Sequence, residues 1–154
     1  MARRKMSSPL FDKIIGVVIS KEGYWTNDAS DPGGLTIYGI CYRDWAADVL
    51  AMKSMSKEDA LAYAKEFYYN HYWLPLNAEK LDDKTALLVL DGAVNQGVAL
   101  MAGWVRCLGD LITFDKILAW RMCKYVEVIE NNPNLAKYAF SWMQRLKEVY
   151  QWNG

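Results

Sequence analysis

Glu22, Asp28 and Asp31 are the residues of this 154-residue chain whose types and spacing could do chemistry. They fall in the stretch Glu22 to Ile40, EGYWTNDASDPGGLTIYGI, where a carboxylate ends an apolar run and two more acids follow among turn formers. Pro32-Gly33-Gly34 can continue neither a helix nor a central strand, so the backbone must bend there and bring the acids back towards Glu22. Carboxyls arranged in this way suit glycoside hydrolysis. That reaction needs one protonated carboxyl to donate to the leaving oxygen and one ionised carboxylate, or a water it orders, across the sugar. The plainer role for the two aspartates is to cap turns through side-chain to backbone hydrogen bonds, and Asp28 is read that way.

The elements that would position these groups are helical. Ser8 before Pro9 opens a helix, because a proline in the first turn gives up an N–H that has no partner anyway. Leu10, Ile14, Val17 and Val18 continue it to about Lys21, which delivers Glu22 at the C-terminal end. There the helix dipole and any apolar packing would both favour the protonated carboxyl that a general acid requires. Leu35, Ile37 and Ile40 suit one short strand pair, and Thr36 beside them could hold a water or bond a carboxylate. Helices are expected over Asp44–Met52 with Trp45, Val49 and Leu50 inward, and from Ser56 to Asn70 on an Ala60, Ala64, Phe67 and Tyr68 stripe. Further helices are expected over Asp83–Gln96, Val98–Leu108, Phe114–Glu130 and Asn134–Gln151, separated by Gly97, Gly109 and Asn131-Asn132-Pro133.

The helix over Asp83–Gln96 is apolar nearly all round, so it should be the buried central one. Asp91 and Asn95 are four apart and share a face of it, where each must be satisfied by backbone amides or by a ligand. Asp91 is read as a brace for the Glu22 loop and Asn95 as a substrate contact. The aromatic cluster Tyr68, Tyr69, Tyr72 and Trp73 could lay flat rings against sugar C–H faces or simply pack a helix end. Tyr72 and Trp73, with Tyr38, are the candidate sugar contacts, and His71 is read as structural.

Composition narrows the alternatives. Hydrophobic residues make up 53% and charged residues 23%, so the chain folds as an ordinary globular domain. Eighteen basic residues balance eighteen acidic ones, which gives no net field to draw a nucleic acid. The arm Arg3-Arg4-Lys5 is read as a solvated terminus. Cys41, Cys107 and Cys123 lack metal-ligand spacing and His71 is the single histidine, so neither a zinc site nor a disulfide framework is expected. The cysteines are read as reduced and mostly buried. The apolar run that follows the basic arm, Ile14 to Ile19, is too short for a secretory core or an integral membrane segment.

The Glu22 stretch resembles, without a gap, the motif of the phage-associated muramidases of glycoside hydrolase family 108: E-G-G-Y, five variable residues, D-P-G-G-x-T, two variable residues, G-I. Glu22, Gly23, Asp31, Pro32, Gly33, Gly34, Thr36, Gly39 and Ile40 match, while Tyr24 stands in place of the second glycine and Trp25 in place of the tyrosine. Tyr68 to Pro75 is similar to the family's Y-x-x-x-Y-W segment and Leu90 to Gly97 to its F-D-x-x-V-N-x-G helix, and Trp142 to Arg145 falls near its closing G-W-x-x-R.

The resemblance implies a mainly α, lysozyme-like helical domain with a small loop or β-hairpin lobe at the active site. It implies one domain over residues 1–154, with a catalytic part over 1–97. Residues 98–154 resemble a reduced peptidoglycan-binding region, because Gly109 to Lys116 lacks the family's D-G-x-x-G-x-x-T turn. The implied activity is hydrolysis of the β-1,4 bond between N-acetylmuramic acid and N-acetylglucosamine in bacterial peptidoglycan. In that reading Glu22 is general acid, Asp31 stabilises the oxocarbenium-like transition state or orders water, and Thr36 assists. No metal or cofactor is implied. Such an enzyme is made in the host cytoplasm and reaches the periplasmic wall after release through a holin. A lytic transglycosylase, a wall-binding or virion structural protein on the same scaffold, and a helical adaptor stay open, as do stereochemistry and oligomeric state.

Overall fold

The structure is a computed structural model that describes residues 8–27 and 34–154; the basic arm, Asp28 and Asp31 lie outside the described residues. Helix α1 (Pro9–Glu22) begins where Ser8 Oγ accepts from the Phe11 N–H at 3.0 Å. Its buried series is Phe11, Ile14, Ile15, Val18 and Ile19, at the spacing of one helix face, with Leu10 and Val17 on the flanks.

Among the described residues three short strands follow: β1 (Trp25–Asn27), β2 (Leu35–Ile37) and β3 (Ile40–Cys41), antiparallel in that order. One more strand forms than the expected pair. Ile37 faces Ile40 across a two-residue turn, Tyr38-Gly39, with both φ angles positive at 48° and 81°. Such a turn matches the strands' own twist. A tyrosine at its first position is disfavoured by its Cβ; here the ring is buried against Tyr24 and the carbonyl accepts from Tyr68 Oη at 2.8 Å.

Helix α2 (Tyr42–Lys53) starts two residues early and kinks at Trp45, and it leaves Leu50 exposed instead of inward. Ser56 caps α3 (Lys57–Tyr68), whose stripe of Ala60, Ala64, Phe67 and Tyr68 is buried. The chain then widens into a π-helical turn, Tyr69–Trp73, before the single turn α4 (Leu74–Leu76). Asp82 caps α5 (Asp83–Gln96), in which every residue from Thr85 to Ala93 is buried. This helix packs against α1, α6 (Val98–Leu108), α7 (Phe114–Asn131) and α8 (Ala139–Gln151) and forms the axis of the molecule. The segment after Asn132-Pro133 is a 3₁₀ stretch, Pro133–Tyr138, so α8 begins five residues later than the spacing suggested.

Among the described residues no helix is long and apolar enough to cross a membrane. The three cysteines are free, but Cys107 and Cys123 are exposed, because their helices bury other faces.

Candidate active site

Glu22 is the last residue of α1, and its side chain pairs with a cation. Arg145 of α8 donates from Nη2 to Glu22 Oε1 at 2.8 Å and from Nε to Asp91 Oδ1 at 2.8 Å. Lys21 Nζ reaches the same Asp91 oxygen at 3.1 Å, and Arg121 Nη1 takes Oδ2 at 3.0 Å. Lys21 also lies 3.8 Å from Glu148, so among the described residues three cations meet three carboxylates, with Asp91 and Arg121 fully buried and Glu22 at the outer edge.

Burial alone would push the Asp91 carboxyl up, but Arg121, Arg145 and Lys21 outweigh it and hold the group below the usual carboxylate range. Arg121 is also satisfied by the Leu88 carbonyl, Gln96 and Tyr125. The buried charges are therefore each paired, as charges removed from water must be. Asp91 holds the end of α1 through Lys21, and it holds Glu22 at one remove through Arg145.

The turn between β2 and β3 closes on Glu22 from the other side. A Cβ on Gly39 would lie 2.8 Å from Glu22 Cγ and 2.7 Å from Tyr68 Oη, so the glycine backbone is pressed against the acid's stem. Glu22 is clamped between a guanidinium and a backbone that cannot take a side chain. Gly39→Ala meets both that contact and a left-handed φ of 81°. It should cost at least about 1–2 kcal/mol of stability in a thermal melt. It should also lower the hydrolysis rate by roughly 10²-fold, the usual cost of displacing a reacting group by about an ångström. A variant with wild-type melting and rate would show that the clamp is unimportant.

Tyr72 is half-buried, with its ring against Tyr68 at 5.2 Å. Its hydroxyl is pushed up first by burial and then by the charges of Cys41, Glu22 and Asp44. Tyr68 is raised far more strongly by burial and by Glu22, so it remains a donor at any working pH. Tyr68 Oη and the Glu22 stem meet at Gly39, and Tyr72 lies against Tyr68, so both tyrosines sit on the acid's side of the molecule. Thr36 pairs with Thr26 on one side and Cys41 on the other, and side chains paired across strands share a face. Cys41 Sγ in turn donates to Asp44 Oδ2 at 3.1 Å, so a polar row crosses the sheet.

Two expected sugar contacts are placed elsewhere. Trp73 is 1% exposed, packs on Phe11 and donates from Nε1 to Glu79, so it is a core residue; the π-helical turn rotates it inward. Tyr38 is likewise buried, and it shapes the turn instead of facing solvent. Asn95 is half-buried and accepts from Tyr125 Oη through Oδ1. His71 is exposed against Phe67 and Trp45. Among the described residues no group of three or more His, Cys, Asp and Glu side chains is gathered as a metal site would need.

Arg145 and Arg121 are the residues that sequence reasoning passed over. Arg145 stood in the W-x-x-R fragment without a role. Arg121 sits in an apolar series, Ile117, Arg121 and Tyr125, at four-residue steps, and a cation at such a position signals a buried partner.

Residues 15–97, more than half of the chain, match the family model of Glycosyl hydrolase 108. The chain belongs to glycosyl hydrolase family 108. That makes it a glycoside hydrolase by family, and peptidoglycan is the substrate class that fits the family. Among solved structures, the chain is similar to Brucella abortus SagA, with a TM-score of 0.67 and 20% identity over 93% of this chain and 92% of that chain. At that identity the likeness is one of fold. No curated protein matches the chain. The family match contains Glu22, Thr36, Tyr72, Asp91 and Asn95 but ends before Arg121 and Arg145.

Proposed function

We propose that this member of glycosyl hydrolase family 108 is an N-acetylmuramidase, cutting the β-1,4 bond between N-acetylmuramic acid and N-acetylglucosamine with Glu22 as general acid. The observation that carries the proposal is the clamp on Glu22 inside the family segment: Arg145 engages Oε1 while Gly39 fixes the stem. A fixed carboxyl at the surface is what proton donation to a bound glycosidic oxygen requires. With Oε1 committed to Arg145, Oε2 would present the proton. After the transfer the guanidinium would stabilise the carboxylate left behind.

Asp31 would stabilise the oxocarbenium-like transition state or order the attacking water, with Thr36 assisting from β2. Tyr72 and Asn95 would contact the sugar. The setting we propose is a phage enzyme made in a host cytoplasm and acting on the wall after passage through a holin, without metal or cofactor.

The products test this. Digested peptidoglycan should release fragments with reducing N-acetylmuramic acid ends, seen by mass spectrometry as a mass gain on borohydride reduction. Anhydro ends that resist reduction would instead identify a lytic transglycosylase, in which the sugar's own 6-hydroxyl attacks. Release of no fragments by folded protein would defeat the enzymatic proposal.

A further inference from the structure

Beside the Glu22 clamp, α8 and α5 enclose an open hollow of about 480 Å³ lined by Lys21, Asn95, Phe140, Trp142, Gln144 and Arg145, with Ser141 and Glu148 at its edge. Apart from Asn95 and Arg145, nothing described so far uses it. Its size falls in the range of ordinary ligand sites. It shares Arg145 with the acid, so it begins where the Glu22 site ends.

Its lining is of a particular chemical kind. Phe140 stands at the mouth with 75% of its surface exposed. A lone exposed phenylalanine needs no explanation, but this one borders a hollow whose wall is another aromatic, Trp142. The Trp142 ring is held rigid by stacking on Tyr125, with centroids 4.7 Å apart and planes 12° from parallel. Asn95 gives its carbonyl oxygen to Tyr125, and no described residue takes its NH₂ group. Gln144 and Ser141 add amide and hydroxyl groups at the rim. Lys21 and Arg145 are already engaged by Asp91, with Glu148 3.8 Å from Lys21 and Glu22 on Arg145, so the floor has no cation left over to demand an anion.

A flat apolar ring, a second ring as wall and neutral donors around them suit a neutral sugar ring with hydroxyl and acetamido substituents. They do not suit a stem-peptide carboxylate. We propose that the hollow is a saccharide subsite that holds an N-acetylhexosamine unit of the glycan strand near the cleaved bond, with Phe140 as its platform and Asn95 as a hydrogen-bond donor. This rests on the hydrolase reading above and adds to it where the strand runs: from Glu22 across Arg145 onto the face between α5 and α8.

The test uses the full chain on soluble glycan strands freed of stem peptides, comparing wild type, Phe140→Ala and Phe140→Tyr. Phe140 is exposed, so neither variant should disturb folding. Loss of one stacking contact should raise KM about 2- to 12-fold in Phe140→Ala, with the loss falling on KM rather than kcat. Phe140→Tyr, which keeps the ring, should restore it. Equal KM in the wild type and Phe140→Ala, with all three cutting the strand, would overturn the subsite and leave the hydrolase reading intact. A wild type that cuts no strand would overturn both.

Discussion

Glu22→Gln is expected to digest peptidoglycan roughly two to four orders of magnitude more slowly than the wild type, the usual contribution of a general acid. The substitution is nearly isosteric. Glutamine can still offer a carbonyl oxygen to Arg145 Nη2, and its stem can still lie under Gly39. Positioning therefore survives while the transferable proton is lost, and the effect should fall on kcat with little change in binding. The control is thermal unfolding, which should change little because Glu22 lies at the edge of the charge cluster with its side chain 21% exposed. Wall digestion by Glu22→Gln at the wild-type rate would remove Glu22 from the mechanism.

The second large effect is on stability. Asp91→Asn should destabilise the fold by about 3–5 kcal/mol, the range for leaving a buried charge unpaired. Arg121 has no exposed surface on its side chain and would keep only neutral partners in that variant: the Leu88 carbonyl, Gln96 and Tyr125. The pH dependence follows in sign. The Asp91 carboxyl titrates lower in the folded protein than in the unfolded chain. Its stabilisation is thus fully present above the ordinary aspartate range, near 3.8, and is lost as pH falls from there through the lower folded value. Urea titrations should show the wild type losing stability across that acid window, and Asp91→Asn losing less of it. Parallel pH profiles for the two proteins would mean that the cluster does not govern acid stability.

Much of the architecture could be read from local chemistry because local chemistry makes it. Ser8, Ser56, Asp82 and Thr113 each accept a backbone N–H at the start of a helix, and Gly97 and Gly109 end helices with positive φ. Those signals act over three or four residues, so a linear reading captures them. Glu22 was legible for the same reason, as the acid at the end of an amphipathic run. The π-helical turn that buries Trp73 was not, because the extra residue in that turn shifts each following side chain around the axis and leaves no mark in the periodicity before it. The left-handed Tyr38 was also hidden, since its conformation depends on Tyr68, thirty positions away. The charge cluster was the largest omission. Its pairs are separated by 30, 54, 70 and 123 positions, and no motif spacing reports contacts at that range.

The longest of those separations bears on how the enzyme comes into being. The residues that carry the family match are complete at Gly97, and during synthesis the N-terminal part of a chain is free to fold first. Yet the guanidinium that grips Glu22 belongs to α8, which is made only after α5, α6 and α7. Until it docks, the acid has neither its counter-charge nor its fixed direction, and Asp91 lacks one of its three cations. The clamp on Glu22 is therefore closed only after the whole family segment has been made, which ties the setting of this acid to the synthesis of α8.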